Sequence, residues 1–160
     1  MIAEAPFLFS VAALSVSLAG FAGLIAAFRR GAEWRPIDIF RLREIVEFGF
    51  VNAVLALLMV PLVATTRDIS RSVSIVCGLT ALYLVVTTLL LVRRQRGLDL
   101  PTSLAWYLPA GTTGAITLTV ALIGAGSGEI VWLLWLFLFM LWRPMLAFVF
   151  VLALVRNEAR

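Results

Sequence analysis

Long runs of apolar residues, separated by short polar segments, dominate the hydrophobic pattern of this chain. The first run covers residues 5–28 without a charge and exceeds the about 20 residues that a helix needs to cross the hydrocarbon core of a bilayer. Four further runs follow at residues 45–65, 73–92, 104–126 and 130–155. The pattern predicts an all-α integral membrane protein, a bundle of about five transmembrane helices.

The flanks of the first run are the reverse of those of a cleavable secretory signal. Glu4 precedes the run without any basic residue, whereas Arg29 and Arg30 follow it. A cleavable signal carries its positive charge before a shorter apolar core. We therefore expect the first span to be retained.

The composition supports one membrane domain over residues 1–160. Of the 160 residues, 62% are hydrophobic and 14% are charged, whereas soluble domains have about 45–50% and about 25%. No segment rich in serine, proline or charge divides the chain, so a single bundle is expected.

The arginines predict how the bundle is oriented. Five arginines lie in the connection after the first span, three follow the third span and two end the chain, whereas the connection after the second span holds only Arg67 and Arg71. Because basic residues accumulate on the cytoplasmic side, we expect the N-terminus outside and the C-terminus in the cytoplasm.

The segment before the second span, residues 36–47, has the pattern of an amphipathic helix. Pro36 is suited to the first position of a helix. The polar residues Asp38, Arg41 and Glu44 recur on one face, and Ile39, Leu42 and Val46 lie on the opposite one. Arg43 and Glu47 are one turn apart and are expected to pair. We predict a helix on the cytoplasmic headgroups that runs into the second span, either as a solvated entry helix or as a docking face for a partner.

Small residues form a stripe along the first span. They recur every four positions, at Ser15, Ala19, Gly23 and Ala27. Such stripes let helix backbones approach closely in lipid, so we expect this face to pack, within the bundle or against another subunit. The fourth span repeats the spacing with Gly111, Ala115 and Thr119, which is consistent with packing or with a polar lining.

Arg143 is the one charge near the middle of a predicted span. An arginine at that depth costs about 2.5–3.5 kcal/mol on insertion scales and should face protein, water or a bound anion. Pro144 removes a backbone donor beside it, so a kink is expected. The fifth segment is therefore either one kinked helix or two half-helices that meet at Arg143.

Arg143, Asn52 and Glu47 form the candidate polar site within the membrane. Glu47 is the carboxylate closest to Arg143 by depth along straight helices, and Asn52 lies at a better depth and can accept a hydrogen bond. Four aromatic residues precede or flank Arg143 on the predicted helix, Trp132, Trp135, Phe139 and Trp142. This aromatic stripe could support the guanidinium by cation–π contact, or could include an ordinary interfacial belt.

The residue types that are missing argue against several chemistries. The chain has no lysine and no histidine, and Cys77 is its single cysteine. A retinal Schiff base, histidine-ligated haem or chlorophyll, a structural zinc site and an internal disulfide therefore lack their residues. Nothing serves as a base beside a nucleophile, and the basic residues occupy short loops. We expect no enzymatic activity, no cofactor, no metal and no nucleic-acid partner.

The first third of the chain resembles a known group of proteins. The segments that carry the likeness are Ser17-Leu-Ala-Gly-Phe-Ala-Gly23, Arg29-Arg30, Trp34-Arg-Pro-Ile-Asp38 and Phe40-Arg-Leu-Arg43. They look like uncharacterised small multi-span bacterial inner-membrane proteins. This resemblance implies a location in the bacterial inner membrane and supplies no activity or binding residues.

Two functional hypotheses remain open from the sequence. The first is a non-enzymatic subunit that packs into a homo-oligomer or a larger membrane complex, with Arg143 as an internal lock. The alternative is an oligomeric channel or small transporter with a polar site around Arg143. In either case the partners are the lipid bilayer, anionic lipids among its headgroups, and copies of the chain or another membrane protein.

Overall fold

The computed structural model describes residues 4–28, 36–95 and 104–158, and every element in these ranges is an α-helix. The helices are α1 (Ala5–Phe28), α2 (Pro36–Thr66), α3 (Ile69–Gln95), α4 (Leu104–Ser127) and α5 (Ile130–Glu158). The loop arginines at positions 29, 30, 35, 96 and 160, with Trp34, lie outside the described residues.

Four helices are long and apolar enough to cross a membrane. Their apolar segments are Ala5–Ala27, Arg41–Thr66, Ile69–Leu90 and Ile130–Val149. The fifth helix, α4, is 24 residues long. Among its described residues the apolar segment is shorter and covers Gly111–Ser127. The predicted all-α membrane bundle is confirmed.

The predicted interfacial segment, residues 36–47, is the first part of α2 and is continuous with its apolar segment. Pro36 opens this helix, where its missing N–H costs no hydrogen bond. α5 likewise runs without interruption through Pro144 from Ile130 to Glu158. The structure thus decides between the two alternatives for the last segment, which is one helix.

Two tight turns lie together at one end of the bundle, which we call the hairpin end. Asp68 caps α3 by accepting a hydrogen bond from the Arg71 backbone N–H at 3.2 Å. Gly128, with φ of 65°, turns the chain between α4 and α5, and its backbone lies so close to Ser70 that a β-carbon there would overlap Ser70 Oγ. The α2–α3 and α4–α5 hairpins are therefore held together at this end.

Four helices form a ring, in which each of α2, α3, α4 and α5 contacts the next and α5 closes back onto α2. α1 lies outside the ring and packs on α2 and α5. Gly49 of α2 makes the close approach to α1 possible, because a β-carbon there would lie 2.8 Å from the Ser15 carbonyl oxygen. Fully buried side chains come from all five helices, and α4 contributes Thr117, which is 1% exposed. The large ones on the other helices are Leu8, Ile45, Asn52, Met59, Val73, Val76, Thr80, Leu133, Leu136, Phe137 and Met140.

The outward faces are apolar, as a bilayer requires. Phe9, Val54, Leu82, Leu122 and Val149 are each more than half exposed. In water such a surface would be an association hazard, whereas in lipid it costs nothing. The buried hydroxyls bond to carbonyls of their own helices, for example Ser15 to Val11 at 2.7 Å and Thr80 to Val76 at 2.8 Å, so they need no external partner.

Candidate functional site

Arg143 of α5 and Glu44 of α2 form a buried ion pair. Arg143 Nη2 donates to Glu44 Oε1 at 2.8 Å, and the two side chains are 14% and 9% exposed. A charge-assisted bond of this length offsets part of the cost of taking both groups out of water. The pair joins α2 to α5 through two residues that are 99 positions apart in sequence.

An aromatic ring supports the same guanidinium from α2. Arg143 Cζ lies 4.7 Å from the centre of the Phe48 ring, within the distance of a cation–π contact. Phe48 in turn meets the ring of Tyr83 of α3 edge-on, with 5.7 Å between centroids. The cation–π contact therefore comes from α2, and the expectation that it comes from the aromatic stripe of α5 is wrong.

The aromatic stripe of α5 faces partly outward. Trp135 and Trp142 are each 50% exposed, whereas Trp132 and Phe139 are half-buried against the core. Trp135 and Phe139 contact each other, with 6.1 Å between centroids. Exposed tryptophan side chains on a membrane helix are typical of contact with lipid or with another subunit.

The predicted pairing of Arg143 with Glu47 or Asn52 is wrong, since its partner is Glu44. Glu47 pairs instead with Arg43 at 3.4 Å on the exposed side of α2, as the helical spacing predicted. Asn52 is fully buried and donates from Nδ2 to Ser15 Oγ of α1 at 3.0 Å. The three residues of the predicted site thus belong to three separate interactions.

The face of α2 explains this difference. Ile45, Asn52 and Met59 form the buried stripe of α2, and at about 100° per residue Glu44 lies on the flank of this stripe that also carries Phe48. Glu47 lies about 60° from Glu44 around the axis of α2, on the side that faces away from α5. Ile39, placed on the apolar face by the pattern, is 55% exposed. The assumption that Glu44 faces solvent failed because Arg143 supplies a buried partner.

Glu44 and Arg143 pair although they start at different depths in the bundle. At about 1.5 Å per residue, Arg143 lies about 20 Å from the hairpin end and Glu44 about 33 Å. The Arg143 stem must extend away from the hairpin end to reach Glu44, as long cationic side chains do near membrane surfaces. The rest of the difference between these two distances requires α2 to be tilted, or shifted along its axis, relative to α5.

A cavity of about 520 Å³ lies beside the ion pair, within the ring of α2 to α5. Charged side chains line it on α2 and α5, whereas aliphatic side chains and two threonines, Thr87 and Thr88, line it on α3, and small residues line it on α4. The described lining residues include Arg43, Glu44, Glu47, Phe48, Leu84, Leu89, Gly111, Gly114, Ala115, Leu118 and Arg143. The small residues Gly111 and Ala115, for which packing was one expectation, thus border open space.

Two threonines of the described part of α4, Thr117 and Thr119, bond within their own helix. Thr117 and Thr119 donate to the carbonyls of Thr113 and Ala115 at 2.6 and 2.9 Å. Neither threonine is among the residues that line the cavity. The polar groups that line the cavity are therefore the charges on α2 and α5 and two threonines of α3, Thr87 and Thr88. The Thr87 hydroxyl donates to the Tyr83 carbonyl of its own helix at 2.7 Å.

The small-residue stripe of α1 divides into two halves. Ser15 and Ala19 are buried and pack against Gly49 of α2. Gly23 and Ala27 are exposed, and no atom of the described chain would lie within 4 Å of a β-carbon at Gly23. Packing within the bundle accounts for the first half of the stripe and leaves the second half uncovered.

The site holds a pair of opposite charges and a space beside them, and its residue types limit its chemistry. Within the described ranges no group of three or more metal-ligating side chains comes together. The two arginines and two glutamates that line the cavity can bind, orient or exchange charged groups. The sequence signal that could have found Glu44 is its position one turn before Phe48 on the same flank of α2. Comparisons with protein-family models, with curated proteins and with solved structures gave no match for this chain.

Proposed function

We propose that this chain is a non-enzymatic protein of the bacterial inner membrane that serves as an assembly subunit of a homo-oligomer or a larger membrane complex. The observation that carries the proposal is the uncovered half of the small-residue stripe on α1. A small-residue surface lets another helix approach closely in lipid. Nothing in the described part of the chain occupies the space above Gly23.

The uncovered half borders a groove between α1 and α2. This groove has a volume of about 540 Å³, and its lining consists of Ala22, Gly23, Ala26, Ile39, Leu42, Arg43, Val46 and Glu47. Its walls are apolar, and the exposed Arg43–Glu47 pair lies at its rim. A helix with small or apolar residues and one polar end fits such a groove.

The test is the mass of the purified protein in mild detergent, with Gly23→Leu as the disrupting variant. We expect the natural sequence to give a discrete assembly and Gly23→Leu to give a smaller one, because the leucine fills the groove. Ser17→Leu is the matched control, since Ser17 is exposed about 120° round α1 from Gly23. A monomer without bound proteins for the natural sequence, or equal effects of both substitutions, would contradict the proposal.

A channel or small transporter is the second candidate, and the cavity beside Arg143 favours it. A single chain of five short helices is not expected to enclose a pathway of its own, but this one has a cavity of about 520 Å³ between its helices. The test is flux of anions and cations across vesicles that contain the natural protein, Arg143→Leu or Gly114→Leu. Flux that both substitutions reduce supports transport, and its absence from the natural protein excludes it for the ions tested.

We also propose that the N-terminus lies outside and the C-terminus in the cytoplasm. The support is the arginine distribution together with the odd number of helices, which puts the termini on opposite sides if all five cross. A reporter that is active only in the cytoplasm should work at the C-terminus and fail at the N-terminus. The reverse result would overturn the orientation and leave the fold unaffected.

A further inference from the structure

We propose that the cavity beside the Glu44–Arg143 pair binds a zwitterionic lipid, with the headgroup at the charged side and an acyl chain along the apolar wall. The proposal depends neither on transport nor on assembly. It stands on the position of the cavity in the bundle, on its two unlike walls and on the signs of its charges.

The cavity lies away from the hairpin end. Its lining residues on α2 and α3 fall within positions 43–48 and 84–90. These positions are near the beginning of the apolar segment Arg41–Thr66 and at the end of the apolar segment Ile69–Leu90. Both stretches are where a spanning helix passes from hydrocarbon to headgroups. On α4 the lining continues from Gly111 to Leu118, toward the middle of the bundle. The cavity therefore runs from headgroup level into the apolar region.

The two walls differ in chemistry. The α2 and α5 side holds four charged groups, Arg43, Glu44, Glu47 and Arg143. The α3 side is uncharged and mostly aliphatic, with Leu84, Val85, Leu89 and Leu90 beside Thr87 and Thr88, and the Thr87 hydroxyl is bonded to the Tyr83 carbonyl of its own helix. Ligand sites are typically apolar spaces of about 300–1,000 Å³ with a few polar groups at fixed positions. A cavity with this division suits a molecule that has a polar head and an apolar tail.

The signs of the charges favour a zwitterion over an anion. Two arginines and two glutamates line the cavity as the pairs Arg43–Glu47 and Arg143–Glu44. A single anion that took Arg143 would leave the Glu44 carboxylate buried without a partner, which is costly at low dielectric. In a headgroup with both charges, the phosphate can pair with Arg143 and the ammonium can pair with Glu44, so neither side chain is left without a partner of opposite sign.

Gly114 offers a position from which a larger side chain can be introduced into the cavity. A β-carbon at Gly114 would have no neighbour within 4 Å, and the same is true of Gly126 on the same helix. Gly114 lines the cavity and Gly126 does not. Gly114→Leu and Gly126→Leu are therefore a matched pair, and Ala115→Leu is a second cavity-filling variant.

The experiment measures lipid retained by the full chain in detergent by native mass spectrometry. The probes are phosphatidylethanolamine, phosphatidylglycerol and diacylglycerol with identical acyl chains. We expect one phosphatidylethanolamine per chain, bound roughly tenfold more tightly than either other lipid, with loss of binding in Gly114→Leu and Ala115→Leu and retention in Gly126→Leu. Circular dichroism checks that each variant keeps its helices.

Three results would overturn the proposal. Equal or tighter binding of phosphatidylglycerol would show an anion site, and equal binding of diacylglycerol would show unspecific contact with acyl chains. Retention of phosphatidylethanolamine by both folded cavity-filling variants would place the lipid elsewhere. None of these results bears on the mass test with Gly23→Leu, so failure of the lipid site and failure of the assembly proposal are distinguishable.

Discussion

At the scale of single residues, the Glu44–Arg143 pair shows how a membrane protein accommodates a charge that its sequence places at depth. The depth of Arg143 alone predicted that it needs a polar partner. The choice among glutamates depended on which flank of α2 faces α5, and that flank carries Phe48 and Glu44. Spacing along one helix does not reveal the rotation of that helix against another, so Glu44 was missed.

Removal of one partner of this ion pair should strongly destabilise the protein. We expect Glu44→Gln to lower the free energy of unfolding by about 3–5 kcal/mol, because the guanidinium is left buried without its counter-charge. Glu44→Gln with Arg143→Gln should recover much of the loss. The measurement is thermal unfolding in mild detergent, followed by tryptophan fluorescence.

The control for this prediction is the exposed pair on the same helix. Arg43→Gln should cost less than about 1 kcal/mol, because its pair with Glu47 is largely solvated. If Glu44→Gln and Arg43→Gln lower the free energy of unfolding equally, burial of the Glu44–Arg143 pair does not contribute to stability.

Asn52 should tolerate an apolar replacement. Its Nδ2 donates to Ser15 Oγ. The Ser15 hydroxyl itself donates to the Val11 carbonyl, so it keeps a hydrogen-bond partner when Asn52 is replaced. Hydrogen bonds between membrane helices contribute about 0.6 kcal/mol on average. Asn52→Leu should therefore change the midpoint of thermal unfolding only slightly. A large loss would indicate a further partner for the buried Oδ1, which has none among the described residues.

At the scale of helices, the hydrophobic pattern predicted the elements well. The predicted spans at residues 5–28 and 104–126 lie within a residue of α1 and α4, because a run of apolar residues bounded by charges determines where a helix leaves the bilayer. The pattern also predicted that the helix over residues 36–47 runs into the second span, and α2 is one helix from Pro36 to Thr66. The pattern could not show that only half of the α1 stripe packs, because that depends on how closely α2 approaches each part of α1.

The close contact between α1 and α2 gives a prediction at this scale. A β-carbon at Gly49 would lie 2.8 Å from the Ser15 carbonyl oxygen and 3.3 Å from the Ala19 β-carbon, so Gly49→Ala forces the two helices apart. Overpacking of this kind costs about 1–3 kcal/mol. The midpoint of thermal unfolding should fall accordingly.

Gly78 is the matched control, because it is also a helical glycine and a β-carbon there meets no neighbour within 4 Å. Gly78→Ala should be neutral or stabilising, since alanine is the better helix former by up to about 1 kcal/mol. A loss at Gly78 equal to that at Gly49 would mean that helix contact does not explain either effect.

At the scale of the whole molecule, the ring of α2 to α5 has a tightly packed hairpin end and a cavity toward the other end. Gly124 contacts Cys77 and Trp132 so closely that a β-carbon there would lie 2.7 Å from Cys77 Sγ. Gly111 and Gly114, on the same helix, border the cavity. The same helix α4 therefore uses its glycines for close packing near the hairpin end and for open space beyond it.

Cys77 makes this packing measurable across the molecule. It is fully buried, so a bulky maleimide should label it only when the bundle opens, and the labelling rate should report opening of the ring. We expect the natural protein to resist labelling in mild detergent and Glu44→Gln to be labelled faster. Rapid labelling of the folded natural protein would contradict the packing of α3 against α4.

The sequence by itself determined the membrane setting, the number and approximate bounds of the helices, and the conclusion that Arg143 needs a partner. Those properties follow from the transfer of local segments from water to lipid, and local segments are visible in the sequence. Only the tertiary structure decided that the partner is Glu44, that Asn52 binds Ser15, and that a cavity lies beside the ion pair. These features depend on how each helix is rotated and shifted against its neighbours, and packing of the whole ring sets those positions.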